Sequence, residues 1–332
     1  MKAGITYDLR ADYLSQGYGE EETAEFDSIE TIEAIDDALR SLGHETVRIG
    51  NIRSLTQRLA AGERWDLVFN IAEGLHGIGR EAQVPALLDA FAVPYTFSDP
   101  LVLAVALHKG ITKTLVADLG IRTPEFTVIN TASDLEHVEL PWPVFAKPVA
   151  GGTGAGVSIA SKARTKEELA VVCRKLLEQF GQPVLIERFL PGREYTVGLA
   201  GTGPKARVLG VLEILLHDNA EGDVYSYANK REYQTRVSYR LADEPTSSLA
   251  ANMALRVWNG LGCRDAGRLD LRCDGSGRLS FLEINPLAGL HPVDSDLVIL
   301  SRLSGISHRQ LIEMIVTSAL DRVRDRTYEG TA

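Results

Sequence analysis

Apolar positions in the first hundred residues alternate between two periods. Ile29, Ile32, Ile35, Leu39 and Leu42 recur at helical spacing, whereas Lys2 to Tyr7 and His44 to Ile49 are short apolar-rich runs of strand length. Asp27 followed by Glu30 reads as a capping box, and Gly43 offers a residue free to take positive φ where the helix ends. The pattern predicts a βαβ unit, continued by a strand over Trp65 to Ile71, a helix over Val84 to Phe91 and a strand over Val93 to Thr96. Ser98, Asp99 and Pro100 then interrupt it and set a first boundary.

Beyond that boundary, Leu101 to Gly120 forms two helical stretches separated near His108 to Gly110, followed by strands at Phe126 to Ile129 and Val144 to Lys147. A glycine-rich segment comes next, and Val157 to Ala160 is predicted as its partner strand. Glu167 to Gln179 reads as a helix, and Pro183 to Phe189 as a strand closed by Leu190, Pro191 and Gly192, a hinge candidate. The chain is strand-rich to Leu216, polar from His217 to Arg240, and helical from Thr246 to Leu261. Strands follow at Ala266 to Cys273 and Arg278 to Ile284, with a last helix from Ser307 to Arg324.

Length and charge narrow the options. A chain of 332 residues is too long for one hydrophobic core, so two or three domains with a cleft between them are expected. The net charge of −10 argues against a nucleic-acid partner, while leaving room for a local basic pocket for a phosphorylated small molecule. Apolar runs such as Val208 to Leu216 fall far short of the roughly 20 residues of a membrane span. No basic stretch and apolar block open the chain, so a cytoplasmic protein without a membrane partner is expected. Cys173, Cys263 and Cys273 match neither a disulfide framework nor a metal spacing and read as inert.

Two features carry candidate chemistry. In Lys147-Pro-Val-Ala-Gly-Gly-Thr-Gly-Ala-Gly156, glycines at 151, 152, 154 and 156 let backbone N–H groups close on a polyphosphate beside a strand-end lysine. The same segment also suits a flexible hairpin; it lacks the Gly-Lys-Ser/Thr of a P-loop. On the last two strands, Arg268 and Asp270 share one face by alternation, as do Glu283 and Asn285. Oxygen donors with an amide neighbour suit Mg²⁺ rather than zinc; the alternative is an ordinary salt-bridged sheet face.

Taken in order, Lys147-Pro with its glycine loop, Glu187-Arg-Phe-Leu-Pro-Gly-Arg-Glu194, Arg268-Leu-Asp270 and Leu282-Glu-Ile-Asn285 resemble the ATP-grasp superfamily, and within it the D-alanine:D-alanine ligase branch. Phe69-Asn70, Tyr95 to Pro100, the Lys109 and Lys113 pair and Tyr227 to Lys230 extend the similarity over nearly the whole chain. The resemblance implies an α/β protein, α+β in its ATP-grasp part, with an ATP-grasp fold behind an N-terminal doubly wound βαβ domain. It implies domains at 1–98, 99–189 and 190–332, the second carrying the glycine-rich loop and the third the metal site and lid.

The implied reaction is ATP-dependent ligation of two amino acids, D-configured in this family, through an acyl phosphate. By resemblance, Lys109, Lys147, Gly151, Gly152, Thr153 and Gly154 bind nucleotide phosphates, Glu187 with Phe189 and Leu190 forms the adenine hinge, and Glu194 takes the ribose. Lys230 is the lysine of a lid over Tyr225 to Arg236. Asp270, Glu283 and Asn285 correspond to ligands of two Mg²⁺ ions, with Mn²⁺ as the alternative metal. Arg268 and the Gly289 N–H hold the oxyanion, and with Lys230 and Thr153 they form the catalytic set. A homodimer is the assembly considered.

Several positions depart from the family pattern. The glutamate that holds the first substrate's amine is approximated only by Glu25 in Glu25-Phe-Asp-Ser28, which also reads as a solvated acid. Glu81 matches a family glutamate near that substrate and also suits a helix N-terminus. The loop serine becomes Thr153 and the lid tyrosine Arg231. His76 and His291 read as substrate contacts or polar loop residues. Past Gly289, His291-Pro-Val-Asp294-Ser-Asp296 replaces the serine that serves the acceptor carboxylate. If Asp294 and Asp296 line the pocket they repel an anion, and a ligase with another amino-acid, amine or peptide acceptor becomes the alternative to D-alanine. A catalytically silent nucleotide-binding regulator is the non-enzyme alternative. Its weakness is that Lys147, Lys230, Asp270, Glu283 and Asn285 are all present.

Overall fold

The computed structural model describes residues 1–152, 154, 156–220 and 233–329. The first layer holds β1 (Lys2–Thr6), α1 (Arg10–Ser15), α2 (Ile29–Ser41), β2 (Glu45–Gly50), α3 (Ile52–Ala60), β3 (Leu67–Asn70) and α4 (Gln83–Ala90). Its three strands are parallel in the order β2-β1-β3. Alternation along the strands sends side chains to both faces: Ile5 and Phe69 meet Ile35 and Leu39 of α2, whereas Ile49 and Val68 meet Leu55, Leu59 and Leu88 of α3 and α4. The predicted βαβ unit is therefore present, with helices on both faces.

Three details differ from the expected pattern. Ser28, not Asp27, precedes the first turn of α2. The Asp27 backbone is instead bound to the chain after β1, its N–H donating to Asp8 O and its carbonyl accepting from Arg10 N–H. Val93 to Thr96 is not a strand but a single bridge between Val68 and Tyr95. The chain turns away at Phe97, where φ is +70° and the N–H goes to Asp265 Oδ2 at 2.7 Å. The helix α3 was not foreseen; Asn51 caps it by accepting from the Arg53 and Ser54 N–H groups.

Next come α5 (Pro100–Leu107), α6 (Lys109–Asp118), β4 (Phe126–Ile129), β5 (Val144–Pro148), β6 (Lys162–Ala163), α7 (Lys166–Phe180) and β7 (Val184–Arg188). The strands form an antiparallel sheet in the order β4-β7-β5-β6. The partner of β5 after the glycine loop is Lys162–Ala163, not Val157 to Ala160. Ser158 and Ser161 cap a single tight helical turn over Ile159–Ser161, so pairing begins only after it.

The remaining elements are β8 (Glu194–Ala200), β9 (Arg207–Leu216), α8 (Tyr233–Arg236), β10 (Val237–Leu241), α9 (Thr246–Leu261), β11 (Ala266–Cys273), β12 (Leu279–Asn285), α10 (Asp296–Leu303) and α11 (His308–Glu329). Their five strands are antiparallel in the order β10-β9-β8-β11-β12. Val102, Ala106 and Val116 of α5 and α6 share a core with Trp258 and Leu271, so these helices pack on this sheet. Leu297, Ile312 and Ile315 of α10 and α11 join the core of the first layer beside Ile5 and Phe69. Buried Asp265 ties the pieces together, accepting from Phe97 N–H, Ser318 Oγ and both donor arms of Arg322. All three cysteines are free and buried. Among the described residues, no single helix is long and apolar enough to cross a membrane.

Candidate active site

The four- and five-stranded sheets face each other across a cleft, and a cavity of about 100 Å³ lies between them. Lys147 comes from β5, Glu187 from β7 and Lys109 from the first turn of α6. Antiparallel register sets Asp270 opposite Glu283 and Arg268 opposite Asn285 on β11 and β12. Alternation then turns all four to one face, as the sequence pattern predicts.

Charge in the cleft is densely paired. Glu187 is buried, with one oxygen 3.0 Å from Lys147 Nζ and the other 2.7 Å from Lys113 Nζ. Burial works against its charge, but the two lysines hold its carboxyl below the ordinary glutamate range. Burial likewise opposes the charge of Lys147, yet Glu187 and Glu283 outweigh it and raise the ammonium pKa. For Lys113 burial prevails over Glu187 and the pKa falls to about 8. Burial and the neighbouring Lys147 also lower Lys109. Glu283 Oε2 sits 3.6 Å from both Lys109 Nζ and Lys147 Nζ.

Asp270 is bound by the Arg268 guanidinium and accepts from Thr196 Oγ1 at 2.8 Å, while Asn285 Oδ1 accepts from Leu287 N–H. Among the described residues no three acids, histidines or cysteines gather as a metal-binding group. The hard-oxygen set is two carboxylates and one amide on a shared face. That set fits Mg²⁺, which dehydrates reluctantly and takes few protein ligands alongside water and phosphate oxygens.

At the far end of the cleft, Phe189 and Leu190 follow β7 and line the cavity. The Phe189 N–H donates to Pro143 O at 2.9 Å, and its ring lies under Lys162 Nζ at 3.9 Å. Glu194 accepts from Arg272 Nη1 at 3.0 Å. Gly151 and Gly154 border the same space, and Gly151 O accepts from Lys109 Nζ. Thr153 and Lys230 lie outside the described residues, as does most of the lid expected over Tyr225 to Arg236.

A second cavity, of about 240 Å³, adjoins the first along Lys109, Arg268 and Glu283. Gly289, Asp294 and Asp296 form one side of it, and Glu25, Glu73 and Glu81 the other. Glu25 is 2.5 Å from Arg80 Nη2 and accepts from the Gly152 N–H, binding the first layer to the glycine loop. It is not a solvated acid. Asp294 accepts from Tyr233 Oη at 2.6 Å, and the Asp294 N–H donates to His291 Nδ1. His76 is exposed on its loop, and its carbonyl accepts from Gln83.

Glu81 is only 7% exposed. Burial raises its pKa to about 8 against the pull of Arg80, with Glu25 adding to the rise. The folded chain therefore keeps a proton that the unfolded chain loses near the ordinary glutamate value of 4.5, so this group subtracts stability as pH rises from there to about 8. Glu81→Gln is expected to flatten that fall. Melting temperatures of both proteins at pH 5 and pH 9 measure it, and parallel losses would refute the raised pKa.

Sequence reasoning missed Arg80, Glu73 and Tyr233. Arg80 acts across the fold on Glu25, Tyr233 within the expected lid span acts on Asp294, and Glu73 lines the second cavity; nothing in their local spacing announces these placements.

A family model described as the D-ala D-ala ligase C-terminus matches residues 115–317. The chain is 32% identical over 293 residues to the D-alanine–D-alanine ligase of Aquifex aeolicus, covering 87% of this chain and 94% of that protein. It is 33% identical to the D-alanine–D-alanine ligase of Gluconobacter oxydans, with 87% and 93% covered. Among solved structures, the VanG D-Ala:D-Ser ligase of Enterococcus faecalis superposes with a TM-score of 0.73 at 18% identity, over 96% of this chain and 99% of that one. The D-alanine–D-alanine ligase of Bacillus anthracis complexed with ATP gives 0.72 at 20%, over 98% and 99%. These two likenesses concern the fold.

Proposed function

The chain belongs to the D-alanine–D-alanine ligase family and is an ATP-dependent ligase that forms a peptide bond; from that premise we propose how its residues divide the work. ATP occupies the cleft between the four- and five-stranded sheets, with its phosphates under the glycine loop. Lys109 and Lys147 neutralise phosphate charge, Glu187 with the 189–190 backbone meets the adenine and Glu194 the ribose. Asp270, Glu283 and Asn285 hold Mg²⁺, two ions with Mn²⁺ as a substitute. Bound there, the metal supplies positive charge to the transferring phosphoryl oxygens.

A carboxylate is a poor electrophile, so the first amino acid must accept the γ-phosphoryl group before an amine can attack its carbonyl. Arg268 and the Gly289 N–H then face the tetrahedral oxyanion as phosphate leaves. Thr153 and Lys230 complete the cover that keeps water from the acyl phosphate. Glu187 positions Lys147 by holding its ammonium from behind. Glu25 and Glu81 border the first substrate. The same reading has the protein working in the cytoplasm on small amino acids, as a homodimer, with domains at 1–98, 99–189 and 190–332.

The observation that carries this reading is the register of β11 and β12, which aligns Arg268 with Asn285 and Asp270 with Glu283 where the two cavities meet. One further observation favours an acceptor other than D-alanine. Both Asp294 and Asp296 line the second cavity, where a bare carboxylate would be repelled. The test is a panel of D- and L-amino acids, amines and dipeptides, alone and paired, following ADP, phosphate and coupled product. ADP release that requires amino acid, with one peptide bond per ADP, is expected. ADP release without amino acid, or without product, would refute the ligase assignment; efficient D-alanyl-D-alanine synthesis would refute the altered acceptor.

A further inference from the structure

The end of the second cavity away from the metal face holds three carboxylates with unequal partners. Glu25 has Arg80 and the Gly152 N–H. Glu81, 7% exposed, and Glu73, partly exposed into the cavity, make no hydrogen bond or ion pair among the described residues. Glu73 follows β3 and Glu81 lies on the turn before α4, so both project from the carboxyl edge of the parallel sheet, where α/β folds hold ligands.

Buried acids without a partner are costly to ionise, and among the described residues Arg80 and Lys109 act on these two only from beyond ion-pair distance. Arg80 is already engaged by Glu25, and Lys109 lies toward Glu283 and Gly151 O. A neutral amino acid brings one ammonium group and would leave one acid unmatched. A diamino acid brings two.

We propose that Glu73 and Glu81 form a paired ammonium site, and that the first amino acid activated by this ligase is a diamino acid, its α-ammonium and side-chain ammonium each facing one of the two carboxylates. This rests on the ligase reading above and assigns a role to Glu73. Burial together with Glu81 and Glu25 pushes Glu73 well above the ordinary carboxylate range, as it does Glu81. Burial thus favours the protonated form of both acids, and cations entering the cavity favour their ionisation. Arg80 keeps Glu25 from competing for either ammonium.

The experiment measures binding and turnover on the full chain with ADP and Mg²⁺ present. Calorimetry compares D-alanine with 2,3-diaminopropionate, 2,4-diaminobutyrate and ornithine, in both enantiomers. At least tenfold tighter binding of one diamino acid is expected. Glu73→Gln and Glu81→Gln should each cost that ligand at least tenfold more than they cost D-alanine, with cooperative thermal unfolding retained in both variants. D-alanine binding as tightly as every diamino acid, no binding of any diamino acid, or equal losses for both ligands would overturn the proposal. Amino-acid-dependent ADP release keeps the two readings apart. Release with D-alanine and no diamino preference overturns the paired site and leaves the ligase standing; tight diamino acid binding with no release from any pair does the reverse.

Discussion

Glu283→Gln is expected to lower ligase turnover by about a thousandfold or more, the rate equivalent of roughly 4 kcal/mol of lost transition-state stabilisation. Glu283 carries a charge that Gln lacks, at a point where Lys109 and Lys147 approach one oxygen at 3.6 Å each and where the proposed metal would add more positive charge. Removing that anion leaves cations facing cations. The fold should survive, because the side chain borders a cavity rather than a core and the amide has the same shape. ADP release and thermal unfolding on the same preparation test both halves. A variant within tenfold of wild type in the presence of Mg²⁺ would refute the assignment of Glu283.

Glu187→Leu should act on stability instead, costing about 3 to 5 kcal/mol, the usual penalty for stranding a buried charge by removing its partner. Lys113 is completely buried, and apart from Glu187 the hydrogen-bond partners of its ammonium among the described residues are Thr123 Oγ1 at 2.9 Å and Phe281 O at 3.4 Å. Lys147 would lose its 3.0 Å partner as well. Urea unfolding measures the loss. Replacing both residues, Glu187→Leu with Lys113→Met, should recover part of it, because no full charge then remains at the Lys113 position. A loss below 1 kcal/mol in the single variant would mean that the ion pairs contribute little.

Much of the architecture was legible in the chain because its signals are local. Helical spacing marked α2, α7 and α9, and apolar runs marked β5, β7 and β11, since each depends on neighbours within a few residues. The errors arose where two local signals compete and a distant contact selects between them. Asp27 and Ser28 both suit a helix start, and the bonds of Asp27 to Asp8 and Arg10 select Ser28. Val157 to Ala160 has strand composition, yet the Ser158 and Ser161 cap postpones pairing to Lys162.

The candidate site divides in the same way. Alternation alone put Arg268 with Asp270, and Glu283 with Asn285, on common faces, because a strand's side-chain period of two needs no tertiary information. The pairing of those faces across β11 and β12 came from strand register, which the sequence leaves open. Only the folded chain brings Arg80 to Glu25 over 55 residues and Lys113 to Glu187, and leaves Glu73 and Glu81 without an ion pair among the described residues. Sequence by itself thus determined which chemistry-bearing residues are present and how each lies on its own element. Tertiary structure decided which charges meet and which stay unmatched, because ion pairing depends on distance in space and not on separation along the chain.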